Sequence, residues 1–157
     1  MFLSWLTFFV LAATAVVAII TLKSNENRAR KRATIDVVLS ENQDERFRDI
    51  KEKFALMREN NENFTLLACL VGDTEQQKQV IADKKEVIIA ILNQYEFIAS
   101  AIFENALDEE LYKRMKKGVL IRDWLVLEPF VAELRKQTGR KQLFCEMQAL
   151  AQKWQHQ

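Results

Sequence analysis

An all-α protein, with one N-terminal transmembrane helix leading into a cytosolic multi-helix bundle, is the fold this 157-residue sequence predicts. Three observations carry that expectation. Residues 2–22 read FLSWLTFFVLAATAVVAIITL, without one ionisable side chain. Three glycines and one proline are too few turn formers for a protein built of hairpins. Beyond the first run, apolar residues recur at three- and four-residue spacing between charged faces, the period of a helix half-buried in a core.

The chain divides into an anchor at 1–22, a basic juxtamembrane helix at 23–41 and a helical domain at 42–157. A helix rises about 1.5 Å per residue, so roughly twenty apolar residues cross a bilayer's hydrocarbon. A cleaved secretory signal would carry basic residues before the run and a small-x-small site after it. Here the basic residues follow the run, and Ala13-Thr14-Ala15 lies inside it, which favours a retained anchor. Lysine and arginine stay on the cytoplasmic side, so the amino terminus is expected outside and the domain inside, at a bacterial inner membrane. Lys23, Arg28, Arg30, Lys31 and Arg32 are the candidate membrane-surface residues, each worth about 1 kcal/mol against anionic lipid. Setting topology is their simpler role. Trp5 suits the interfacial belt, and Thr14 with Ala18 offers a small-residue seam for a homo-oligomer.

No glycine or proline interrupts the sequence from residue 23 to 39, so the anchor helix is expected to run on, with Ile35, Val38 and Leu39 as a first stripe. Residues 42–60 form the clearest amphipathic helix, burying Phe47, Ile50, Phe54 and Met57. On its solvated face Asp44–Arg48, Arg48–Glu52 and Asp49–Lys53 stand four apart. A short apolar segment, 64–71, ends at Gly72 as a left-handed cap. Thr74 and Gln77 form a capping box for a helix reaching about residue 105. Its stripe of Ile88, Leu92, Tyr95, Ala99 and Ile102, widened by Val87, Ile91, Ile98 and Phe103, marks the central helix of the core. Asp108 caps the next helix, Leu107 staples onto Tyr112, and Glu109 and Glu110 suit its positive end. That helix carries Leu111, Met115, Val119, Leu125 and Phe130 to Gly139, with a kink or break expected near Glu128 because Pro129 removes a backbone donor. A last helix, 140–154, buries Leu143, Met147, Leu150, Ala151 and Trp154.

Taken in order, several fragments resemble a known family. They are Arg32-Ala33-Thr34-Ile35-Asp36, Asn63-Phe64 with Leu67-Ala68, and Leu92-Asn93-Gln94-Tyr95-Glu96. Asp108-Glu109 with Leu111-Tyr112-Lys113, Leu120-Ile121-Arg122-Asp123-Trp124, Pro129-Phe130-Val131 with Leu134-Arg135, and Leu150-Ala151 with Lys153-Trp154 follow. Together they resemble the bacterial and prophage-borne domain of unknown function 4760, whose members look like short membrane-anchored helical proteins. Ser100-Ala101 stands where that family often has glycine, and Gly139-Arg140 where it tends to have Asn-Pro. The resemblance implies the fold and brings no activity. Its prophage distribution implies phage exclusion or an accessory role in defence as an alternative function.

Chemistry is hard to place on this sequence. His156, the only histidine, is the penultimate residue, whereas the usual zinc and carboxylate-bridged di-iron sites need histidines on helices. There is no glycine-rich phosphate loop and no paired-cysteine motif. Cys69 and Cys145 sit in apolar stretches and read as inert buried thiols. No catalytic, cofactor-binding or metal-ligating residue is assigned, no cofactor is implied, and the expectation is not an enzyme. The informative polar residues are Asn93, Tyr95, Glu96, Arg122, Asp123 and Trp124. A Glu96–Arg122 pair across a helical hairpin is favoured for them over a polar ligand pocket. Lys113, Arg114, Lys116 and Lys117, and then Arg135, Lys136, Arg140 and Lys141, form two more basic clusters, read as solvated faces ahead of a lipid-headgroup or nucleic-acid surface. A formal net charge of +1 weighs against nucleic acid. The expected function is protein–protein contact at the cytoplasmic face of the membrane, with an unidentified partner or a second copy.

Overall fold

A computed structural model describes the backbone of residues 2–69 and 72–156, and side chains from residue 9 onward; the side chain of Trp5, and Leu70 and Val71, lie outside the described residues. The architecture is all-α, six helices and no strand among the described residues. With nothing to break it, the first helix, α1, runs from Phe2 to Gln43 in one piece. Its two halves differ. The apolar side chains of residues 9–22 are exposed, Phe9 and Leu22 being 64% and 63% so. From Ala33 the same helix enters the core, burying Thr34 and Glu41 and packing Ala33, Val37 and Val38. Ile35 and Leu39 do not join Val38 in that stripe but face outward. The buried face runs instead through Thr34, Val38 and Glu41, at helical spacing.

Asp44 turns the chain. Its side chain accepts from the Phe47 backbone N–H at 3.1 Å and caps α2, Glu45–Glu59. This capping shortens the expected helix by three residues at its start and takes Asp44 away from Arg48, while Asp49–Lys53 pairs at 2.8 Å. Phe54 and Met57 are buried, and Phe54 meets Phe64 edge-on at 5.8 Å. The short α3, Phe64–Cys69, lays Phe64, Leu67 and Ala68 into the core along α5. The expected cap at Gly72 follows Leu70 and Val71, which lie outside the described residues. Space is what requires a glycine there, because a Cβ would stand 2.4 Å from the Lys78 backbone nitrogen.

The capping box forms: Thr74 accepts from the Gln77 N–H, and the Gln77 side chain accepts from the Thr74 N–H. It starts α4, Glu75–Phe103, which packs against α2, α3, α5 and α6 and buries Val87, Ile88, Ile91, Leu92, Ile98, Ala99 and Ile102. α4 and α1 are both long and apolar enough to cross a membrane, but only α1 presents its apolar run wholly outside the bundle. Asp108 caps α5, Glu109–Thr138, accepting from the Leu111 N–H at 2.8 Å. No break occurs at Pro129. The carbonyl it leaves unbonded in the helix belongs to Leu125, a solvent-facing residue, so water can satisfy it. The buried face of α5 is Tyr112, Leu120, Trp124, Leu127, Phe130 and Val131, while Met115, Val119 and Leu125 lie off it.

Gly139 ends α5 at φ +69°, as expected of a left-handed cap. The last helix, α6, starts later than residue 140 and spans Cys145–Gln155. Residues 141–144 form turns, and Phe144 is buried at φ +58°. Arg135 holds this turn, donating Nε and Nη2 to the Leu143 carbonyl at 2.9 and 2.7 Å and Nη1 to Gln148 at 2.8 Å. Met147, Leu150, Ala151 and Trp154 fill the core from α6. Glu109 ties its far end to α5 by accepting from Lys153 at 2.7 Å and the Trp154 indole at 3.0 Å. Burial disfavours the Glu109 charge, but these two donors outweigh it and hold the carboxyl below its usual range.

Candidate functional site

The end of α1 and the flanks of α2, α4 and α5 enclose a cavity of about 120 Å³. Two buried carboxylates, Glu41 and Asp123, lie on it. Asp123 Oδ1 accepts from Arg58 Nη1 at 2.6 Å and Arg122 Nε at 3.1 Å, and Oδ2 accepts from the Tyr95 hydroxyl at 2.8 Å. Glu41 Oε1 accepts from Gln94 at 2.9 Å, Oε2 from Lys116 at 3.2 Å, and its main-chain carbonyl from Lys51 at 3.2 Å. Every oxygen of both carboxylates is engaged by a donor, so each acts as a bonded anchor for charge. Tyr112 also lines the cavity; it is fully buried, and its hydroxyl has no hydrogen-bond partner among the described residues. Burial first, and the Asp123 charge second, push the Tyr95 phenol well up, and burial followed by Glu41 does the same to Tyr112, so both remain neutral donors. Lys51 is shifted the other way, lowered by burial and then by the Lys116 ammonium.

Of the polar residues singled out in the sequence, Tyr95 and Asp123 meet here, and Trp124 is buried beside them in α5. Asn93 is exposed, and Arg122 is half-exposed at the rim. The expected Glu96–Arg122 pair does not form. Glu96 accepts from the Glu146 and Met147 backbone N–H groups at 3.3 and 2.8 Å, capping α6, whose own cap residue Phe144 has no side-chain acceptor to offer. Free N–H groups at a helix start carry partial positive charge, and a carboxylate is the natural partner. Of the cavity's other polar residues, Glu41, Lys51, Arg58 and Gln94 were given no polar role in the sequence, Lys116 was read only as part of a solvated basic face, and Tyr112 only as the staple for Leu107. Lys51, Arg58 and Lys116 each follow a core aromatic by four residues, namely Phe47, Phe54 and Tyr112. Glu41 follows Thr34 by seven. That edge-of-stripe spacing was the available signal.

Of the five basic residues after the anchor, Lys23, Arg28, Lys31 and Arg32 are exposed along α1. Arg30 turns toward the bundle, reaching Asn105 at 3.5 Å and contacting Asn27. One turn on, Thr34 donates to the Arg30 carbonyl and accepts from the Asp108 N–H, both at 2.8 Å, joining α1 to the start of α5. Both cysteines are exposed, against expectation, because each lies at the end of a short helix instead of on its buried face. Partial burial and then the carboxylates of Glu96 and Glu146 raise the Cys145 thiol, which keeps it a poor nucleophile. The described residues contain no group of three or more His, Cys, Asp or Glu that could hold a metal ion.

One protein-family model matches residues 8–154, and its description is a domain of unknown function, DUF4760. No curated protein and no solved structure matches the chain.

Proposed function

We propose, from the premise that this chain belongs to the DUF4760 family, that it is a single-pass membrane protein holding a helical domain at the cytoplasmic face of a bacterial inner membrane, where it acts by protein–protein contact. One observation carries the reading. α1 is a single helix whose first half exposes only apolar or small side chains over residues 9–22 and whose second half is bonded into the bundle through Thr34 and Glu41. An apolar helix left bare in water would cost about 25 cal/mol for each Å² of apolar surface, and lipid removes that cost. The exposed Lys23, Arg28, Lys31 and Arg32 at its inner end favour a cytosolic domain. Contact in place of catalysis is supported by the buried carboxylates, which are all committed to donors. On the anchor, the Thr14 hydroxyl donates to the Val10 carbonyl at 2.8 Å, leaving a small, satisfied surface beside Ala18 that suits association with a second copy.

Reporter fusions after Trp154 test the topology. Fluorescence from a cytosolic reporter without alkaline phosphatase activity is expected, and the reverse pattern overturns the reading. In a membrane two-hybrid assay Ala18→Ile is expected to weaken self-association; an unchanged signal makes the anchor a tether alone.

A further inference from the structure

We propose that the cavity joining α1, α2, α4 and α5 is a binding site for a phosphate-sized oxyanion, supplied by soluble phosphate or a soluble phosphate ester. Three observations converge on it. The first is charge. Among the described residues lining the cavity, four cations, Lys51, Arg58, Lys116 and Arg122, face two carboxylates, Glu41 and Asp123. The carboxylates' acceptors are taken, whereas each ammonium keeps two N–H donors and each guanidinium most of its five. The site therefore has positive charge and donors to spare, and an anion is the ligand that uses both.

The second is the Tyr112 hydroxyl, fully buried on the cavity wall without a partner among the described residues. A buried donor left unmade destabilises the fold, so its retention there calls for a ligand or water that accepts from it. Crowding of Lys51 and Lys116 points the same way. Burial and then the Lys116 ammonium disfavour the charge on Lys51, and an anion between the two relieves that cost. The third is size. At about 30 Å³ for each water, 120 Å³ holds about four waters or one tetrahedral oxyanion with part of its hydration. It is well below the roughly 300–1,000 Å³ of sites that enclose a drug-sized molecule, so a nucleotide or sugar would enter by its phosphate alone.

A soluble source follows from position, and this step alone rests on the membrane reading of α1. Glu41 lies 19 residues past Leu22 in one unbroken helix, roughly 28 Å beyond the end of the apolar run. A lipid headgroup at the surface does not reach that far. Arg122, half-exposed, and Val119 border the cavity on its solvent side and offer a way in.

The test uses the full chain in neutral detergent. Thermal unfolding and titration calorimetry are run with sodium phosphate, with adenosine monophosphate, and with sodium chloride at matched ionic strength. A saturable rise in melting temperature with phosphate or the monophosphate, absent in chloride, is expected. Tyr112→Phe removes one unpartnered hydroxyl, so its melting temperature without ligand should match or exceed the parent's while its affinity falls roughly ten-fold or more. Lys51→Met gives the same loss from a second helix. No saturable rise with either ligand, or parent-like affinity in both variants, overturns the site and leaves the cavity a water pocket. A Tyr112-dependent rise seen only in nanodiscs of anionic lipid overturns the soluble source.

Discussion

Glu96 and Arg122 exchange importance once their neighbours are known. Losing a helix cap typically costs about 0.5–2 kcal/mol. Glu96→Ala, which strips the cap from α6, should therefore lower the melting temperature by several degrees, at roughly 2–4 °C for each kcal/mol in a chain of this size. Arg122→Met should change it by little, because Arg122 is half-exposed and Asp123 keeps Arg58 and Tyr95. Asp123→Leu should be the severe change, about 3–5 kcal/mol, since it strands the mostly buried Arg58 guanidinium. Differential scanning fluorimetry of the three variants checks the order; equal losses for Glu96→Ala and Arg122→Met would restore the direct pair. The sequence made Tyr95 and Asp123 legible as polar groups set among apolar neighbours in two long helices. It could not say which donor meets Asp123. Arg58 and Lys116 look like any other lysine or arginine at a stripe's edge, and whether such a long side chain snorkels outward or folds inward depends on the facing helix.

At the scale of elements, boundaries were legible where a side chain next in sequence supplies the cap. Thr74, Asp108 and Gly139 do so, and each sits where the spacing placed it. The start of α6 was not, because its cap comes from Glu96, some fifty residues earlier, and its turn is held by Arg135. Gly72 shows the same limit: the close approach of the α4 backbone, which calls for a glycine there, is visible only once the chain is folded. Gly72→Ala forces a Cβ to within 2.4 Å of the Lys78 nitrogen, so the start of α4 must shift. A loss of about 1–3 kcal/mol is expected by chemical denaturation, with the midpoint lowered and the slope kept. An unchanged midpoint would mean that the capping box moves freely with its loop.

For the whole molecule, the all-helical class and the single long N-terminal helix followed from glycine scarcity and one uncharged run. The division at residue 41 followed composition, and the structure shows why composition misses the join: the segment around Thr34 and Glu41 is charged and polar yet lies in the domain's core. A chain beginning at Ala33 keeps both residues and should fold as a soluble, cooperative domain. One beginning at Asp44 loses the partner of Lys116 and the acceptor for the Asp108 N–H and should melt at least several degrees lower. Circular dichroism melts of the two chains decide it, equal midpoints showing that α1 is only a leader to the domain.

The unbroken α1 also fixes an azimuth. A helix turns about 100° per residue, and on the proposed membrane reading of α1 there is no joint between the bilayer and the bundle. One residue inserted beside Ser24 therefore swings the bundle about 100° around the membrane normal and lifts it ~1.5 Å, while seven return it almost to its first bearing ~10 Å higher. A neighbour fixed in the same membrane meets a different face after each insertion, so crosslinking yield should oscillate with insert length with a period near 3.6 residues. A smooth decline with length would instead make α1 a flexible leash. On that proposal the domain, like a weathervane on a stiff shaft, points one way, and a partner would stand on that side.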